Sequence, residues 1–251
     1  MLVEVTGIVV SEETMPNDRK LISILTEDRG IVNCFIGVDK AESARFAAAT
    51  SILSYSSFTL YKGRSGYRLN DAMTMKMFYG ITAFLEKLYL VYYFNELVKY
   101  IVMEEDGDEE FLRLMLNSLY VLDNDKKPLL VVKAVFELRL MAIAGYMPDV
   151  LACRGCGAYE ADEFYFDYDN SCLWCSYCCS AENTARIHKE TLRGLRTVLL
   201  SEHKKIFSFS LSKNGIAELA NLSENYMYKV TEKQFKSLEI FKKICDMEKK
   251  E

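Results

Sequence analysis

The sequence predicts an α+β protein: an N-terminal OB-fold β-barrel, then an α-helical domain carrying an inserted four-cysteine zinc ribbon or knuckle. Three observations lead there. Val- and Ile-rich segments separated by glycine-bearing turns fill the first eighty residues, the hydrophobic period becomes helical after residue 81, and six of the eight cysteines fall between Cys153 and Cys179. Half of the 251 residues are hydrophobic and only 3 are proline, which supports real cores and excludes a disordered or low-complexity chain.

The barrel elements come first. Leu2 to Val10 reads as a strand, Leu21 to Leu25 follows the turn Met15-Pro16-Asn17-Asp18, and Ile31 to Ile36 follows Glu27-Asp28-Arg29-Gly30, with glycine at the left-handed position. Ala41 to Thr50 is alanine-rich and suits a short helix. Ser57 to Tyr61 and Tyr67 to Met73 are two further strands, joined through Lys62-Gly63-Arg64-Ser65-Gly66. Three strands, a helix and two strands is the element order of an OB-fold, a barrel widely used for single-stranded nucleic acid.

Helices follow at Ile81 to Met103, Glu109 to Leu122 and Leu129 to Ala144, the last ended by Gly145 and Pro148. Ile81 to Met103 holds Glu86, Lys87, Asn95, Glu96 and Lys99, which argues for a buried helix rather than a membrane span. Beyond the cysteines, Lys189 to Glu202 and Ser223 to Met247 read as helical, with Lys213-Asn214-Gly215 as a break. The expected division is 1–80 OB-fold, 81–149 helical, 150–182 zinc-binding insertion and 183–251 helical. The N-terminus has no basic n-region followed by an apolar stretch, so a reducing cytoplasmic setting is expected.

In that setting clustered cysteines predict a metal site rather than disulfides. Cys153-Arg154-Gly155-Cys156 and Cys175-Ser176-Tyr177-Cys178 supply two C-x2-C knuckles, and four thiolates make a closed tetrahedral site for one structural zinc per chain. Cys172-Leu173-Trp174-Cys175 is also C-x2-C, so the register has an alternative, and Cys172 or Cys179 remains a candidate.

No catalytic constellation accompanies it. The chain has no P-loop, G-x-G-x-x-G, G-x-S-x-G or H-E-x-x-H, and His188 and His203 are its only histidines, both read as surface residues. The expectation is a non-enzymatic protein. A formal charge of -5 gives no overall attraction to polyanions, so any nucleic-acid contact must be local. Arg19, Lys20, Lys40, Arg45, Lys62, Arg64 and Arg68 are the barrel's DNA-binding candidates if they share a face, with Tyr61 and Tyr67 placed either to stack bases or to pack the barrel. Lys229, Lys233, Lys236 and Lys243 recur at i, i+4, i+7 and i+14 on the last predicted helix, a positive stripe for an acidic partner or a solvated face.

Glu137-Leu138-Arg139-Leu140, Gly145-Tyr146-Met147-Pro148, the Cys153-Arg154-Gly155-Cys156-Gly157 knuckle and Lys236-Ser237-Leu238 resemble the RecO family of bacterial recombination mediators. The resemblance covers nearly the whole chain. It implies a DNA repair protein that binds single- and double-stranded DNA, anneals strands, and works with RecR to help RecA onto strands coated by single-strand-binding protein. It further implies nucleoid association, docking of that protein's acidic, hydrophobic-ended tail on the helical part, and neither a membrane nor a small-molecule substrate. The alternative is a protein-interaction scaffold whose barrel binds DNA weakly or not at all. Asp39 and Glu42 stand where the family carries a basic run, and Ser171-Cys172 where it tends to show paired glycines.

Overall fold

A computed structural model describes every residue except 16–18, 38–39, 65, 105–106 and 249–251, together with the side chains of 40–43 and 248. The chain forms two compact units, Met1–Asn124 with Phe235–Glu251, and Asp125–Gln234.

Five strands of the first unit close a barrel in the order β1-β2-β3-β5-β4: β1 Leu2–Thr14, β2 Lys20–Thr26, β3 Ile31–Ile36, β4 Ser54–Gly63 and β5 Gly66–Met77. Alternation dictates which side faces in, so Val3, Val5, Val9, Ile22, Ile24, Val32, Cys34, Phe58, Leu60 and Leu69 converge as the core. Closure needs strong bending, supplied by register shifts between Val9 and Ser11 in β1 and at two points along the β4–β5 pair. Gly30, at φ 59, makes the β2–β3 turn, as its left-handed position in the sequence predicted. Helix α1, Lys40–Thr50, lies between β3 and β4.

The first unit continues with α2 Tyr79–Thr82, α3 Leu85–Ile101, α4 Glu109–Asp123 and, from the far end of the chain, α8 Lys236–Glu248. The helix expected over 81–103 is therefore two, broken at Ala83 and Phe84. No helix among the described residues is long and apolar enough to cross a membrane.

The second unit is built around α5, Leu129–Ile143, which is buried on nearly every side. Such burial strands charge, so Lys133 bonds Glu137 at 2.9 Å and Glu224 at 3.0 Å, while Ser223 donates to Glu137 at 2.6 Å. Helices α6 Lys189–Leu200 and α7 Lys213–Thr231 flank it. A small sheet, ordered β6-β8-β7-β9, completes the unit: β6 Asp149–Cys153, β7 Phe164–Asp167, β8 Cys172–Cys175 and β9 Thr184–Ile187.

Two expectations change here. Lys213-Asn214-Gly215 begins a helix rather than breaking one, because the Ser212 hydroxyl accepts the Gly215 N–H at 3.1 Å and caps it. The helix expected over 223–247 is two helices. Glu232 turns left-handed at φ 51, its N–H closes on the Tyr228 carbonyl at 2.8 Å, and α8 starts four residues later. Phe235 then packs edge-on against Tyr93 at 5.9 Å and Tyr100 at 5.7 Å, so burying that ring in the first unit draws the chain out of α7.

Candidate functional site

Parallel pairing of β6 and β8 sets Cys153, the last residue of β6, opposite Leu173, and the N–H of Cys175, the last residue of β8, donates to Cys153 Sγ at 3.2 Å. A tight turn after each carries the second cysteine of its knuckle back toward the first: Gly157 N–H reaches the Cys153 carbonyl at 2.8 Å, and Cys178 N–H reaches that of Cys175 at 3.0 Å. The Sγ atoms of Cys153, Cys156, Cys175 and Cys178 consequently all lie within 4.8 Å of one another. Gly155 is required by close approach, since a Cβ there would stand 2.9 Å from Cys178 Cβ. Among the described residues Cys172 and Cys179 are not part of this cluster, which favours the Cys175/Cys178 register.

Sulfurs this close cannot all ionise unaided. Burial raises the Cys153 thiol, but N–H donors from Cys175, Cys156 and Gly155 outweigh it and bring it down to about 6. Cys178, hydrogen-bonded to Cys175 and Cys156, is pushed up to about 12. A tetrahedral zinc with ~2.3 Å bonds to sulfur needs sulfurs ~3.8 Å apart. Cys156 and Cys175 Sγ are 3.8 Å apart. The donor set and spacing thus fit a closed metal centre of structural type.

On the barrel, register builds a second feature. Phe35 of β3 lies opposite Arg68 of β5, and Arg68 opposite Tyr61 of β4, so the three side chains stand in a row on the outer face. Arg19 and Tyr67 join them around a groove of about 440 Å³. Tyr61 is half-exposed, whereas Tyr67 is buried against the core with Lys62 Nζ 5.2 Å from its ring centre. Not every expected cation gathers here. Lys20 pairs with Glu12 and Arg45 with Asp71, the latter at 3.2 Å, and Arg64 is exposed in the hairpin turn outside the groove lining. Lys40 begins α1, but its side chain, like that of Glu42, lies outside the described residues, as does Asp39. Phe35 was missed by sequence reading. Its position between inward Cys34 and Ile36 was the available clue.

The lysine stripe does not survive as one helix face. Lys229 is on α7 and bonds Asp169 at 2.6 Å, Lys233 follows that helix, and Lys236 and Lys243 belong to α8 in the other unit. The histidines have partners as well: His188 Nδ1 is 2.8 Å from Glu218, and His203 lies 3.3 Å from Arg139, which donates to the carbonyls closing α6.

One chain thus joins a closed barrel bearing an aromatic and basic groove to a helical unit whose four clustered thiols have the spacing to hold a metal ion. Residues 1–78 match the family model described as Recombination protein O N terminal, and residues 84–239 match Recombination protein O C terminal. The DNA repair protein RecO of Acetivibrio thermocellus is 30% identical over 239 residues, covering 94% of this chain and 95% of that protein. That of Caldicellulosiruptor saccharolyticus is 26% identical over 240 residues, covering 96% and 98%. The chain belongs to the RecO family, and its role is that of a DNA repair and recombination mediator.

Proposed function

We propose that the chain is a non-enzymatic mediator that binds single- and double-stranded DNA through its barrel, anneals complementary strands, and with RecR helps RecA replace single-strand-binding protein at the nucleoid. One observation carries the DNA-binding part: the Phe35, Arg68, Tyr61 row beside Arg19. Aromatic faces accept unpaired bases irrespective of sequence, and guanidinium groups beside them neutralise phosphate. The four-cysteine centre holds one zinc per chain, keeping β6 and β8 in register rather than activating water, because four thiolates leave no open ligand position. RecR, RecA and the tail of single-strand-binding protein enter as partners on family membership.

A second reading, a scaffold whose barrel binds DNA weakly, draws support from Lys20 and Arg45 being occupied by carboxylates. A salt series of DNA binding separates the two. Arg19→Ala with Arg68→Ala removes two phosphate contacts and makes log K against log salt shallower by about 1.4 for single strands. An unchanged slope means the groove does not meet DNA.

A further inference from the structure

We propose a second, separate phosphodiester site for single-stranded DNA on the zinc-bearing unit, where the face of α6 presenting Lys189, Arg193 and Arg196 meets Tyr159 and Phe164. This rests on the mediator reading above.

The spacing i, i+4, i+7 puts the three cations in one row, rising about 6 Å and then about 4.5 Å along the helix. Together with the two rings they line a pocket of about 120 Å³. That is well below the roughly 300 to 1,000 Å³ usual for small-molecule sites, and suits a phosphate group entering from a chain outside. Lys189 and Arg193 are exposed and form no ion pair or side-chain hydrogen bond with any described residue.

Arg196 is already set in place. Its Nε donates to the Val150 carbonyl at 2.9 Å, and its Nη2 donates to those of Leu151 and Tyr159 at 2.8 and 3.0 Å. Its guanidinium also lies 4.1 Å from the Tyr159 ring centre. A fork held this way loses little freedom when it meets an anion. Glu190, the acidic residue of the first helical turn, is turned toward Ser212, accepting from its hydroxyl and amide, and does not line the pocket. Glu160 is the one carboxylate lining the pocket.

Charge complementarity therefore selects a polyanion, on a protein whose net charge is -5. A row of three cations matches a phosphodiester chain better than a lone carboxylate. Tyr159 is 54% exposed even with Arg196 over its ring, and the aromatic surface it leaves to solvent suits an unpaired base, which a duplex does not present. A site here and another on the barrel allow one chain to hold two strands, as annealing requires.

The test uses zinc-loaded full-length protein, a labelled oligothymidylate and a complementary oligonucleotide pair. Lys189→Ala with Arg193→Ala should make the salt slope shallower by about 1.4 and slow annealing several-fold, with zinc content and thermal unfolding unchanged. Glu160→Gln should tighten binding. If this double variant keeps the wild-type slope and annealing rate while Arg19→Ala with Arg68→Ala flattens the slope, the second site is refuted and the mediator function stands. If both pairs are silent, both readings fall. Should a polyglutamate peptide lose binding in the variant while the DNA slope is unchanged, the pocket serves acidic protein segments and the proposal is overturned.

Discussion

The Trp174 indole N–H donates to Asp167 Oδ2 at 3.0 Å, tying β8 to the last residue of β7. Asp167 is fully buried and also accepts from the backbone of Asp169 at 2.9 Å and Asn170 at 3.0 Å, and from the Asn170 amide at 2.8 Å. Burial works against the charged form, but these donors outweigh it and hold the carboxyl below its ordinary range. Asp167→Ala would strand several of them, so a loss of about 1 to 3 kcal/mol is expected in denaturant unfolding followed by Trp174, the one tryptophan.

The same carboxylate sets a pH dependence. A folded-state pKa lowered from 3.8 adds stability that is fully present above that value and disappears as pH falls through the lower folded value. Asp169, lowered through Lys229 and Asn183, acts in the same direction. Melting temperature of the wild type should fall below the ordinary carboxylate range more steeply than that of Asp167→Asn; parallel curves would remove Asp167 from this role.

Metal analysis should give one zinc per chain. Cys153→Ser should lose it and fold poorly, because metal affinity and folding of the knuckle are one equilibrium. Cys172→Ser and Cys179→Ser should keep it, as neither sulfur belongs to the cluster. Gly155→Ala is the sharper probe: it adds a carbon 2.9 Å from Cys178 Cβ while leaving all four thiols, and should weaken zinc retention against a chelator. Full retention would show that the knuckle yields where the packing says it cannot.

Partner docking is expected to separate along the break between α7 and α8. If an acidic, hydrophobic-ended peptide uses the lysines of α8, Lys236→Glu with Lys243→Glu should weaken its binding and its salt sensitivity. Lys229→Glu should instead lower stability, since it sets two carboxylates together where Lys229 now bonds Asp169. Isothermal titration and thermal melts on the two variants distinguish these outcomes.

Residue type and local period alone were enough for much of this molecule. The order of five strands and one helix, helices α4 and α5 and the two cysteine knuckles follow from alternation, turn glycines, helical period and C-x2-C spacing, which are properties of neighbours in the chain. Strands β6, β8 and β9 escaped notice because four or five residues dominated by knuckle and turn composition carry no readable alternation. The charged residues were harder. Which of the barrel cations meet was settled by strand register, which sets Phe35 and Tyr61 on either side of Arg68, and by carboxylates on other elements that pair with Lys20 and Arg45. The lysine stripe looked continuous by period. Burial of Phe235 beside Tyr93 and Tyr100 ended it, because an apolar ring's gain on leaving water outweighs helix continuation across four residues, and nothing local to those residues reports where that ring will find its partners.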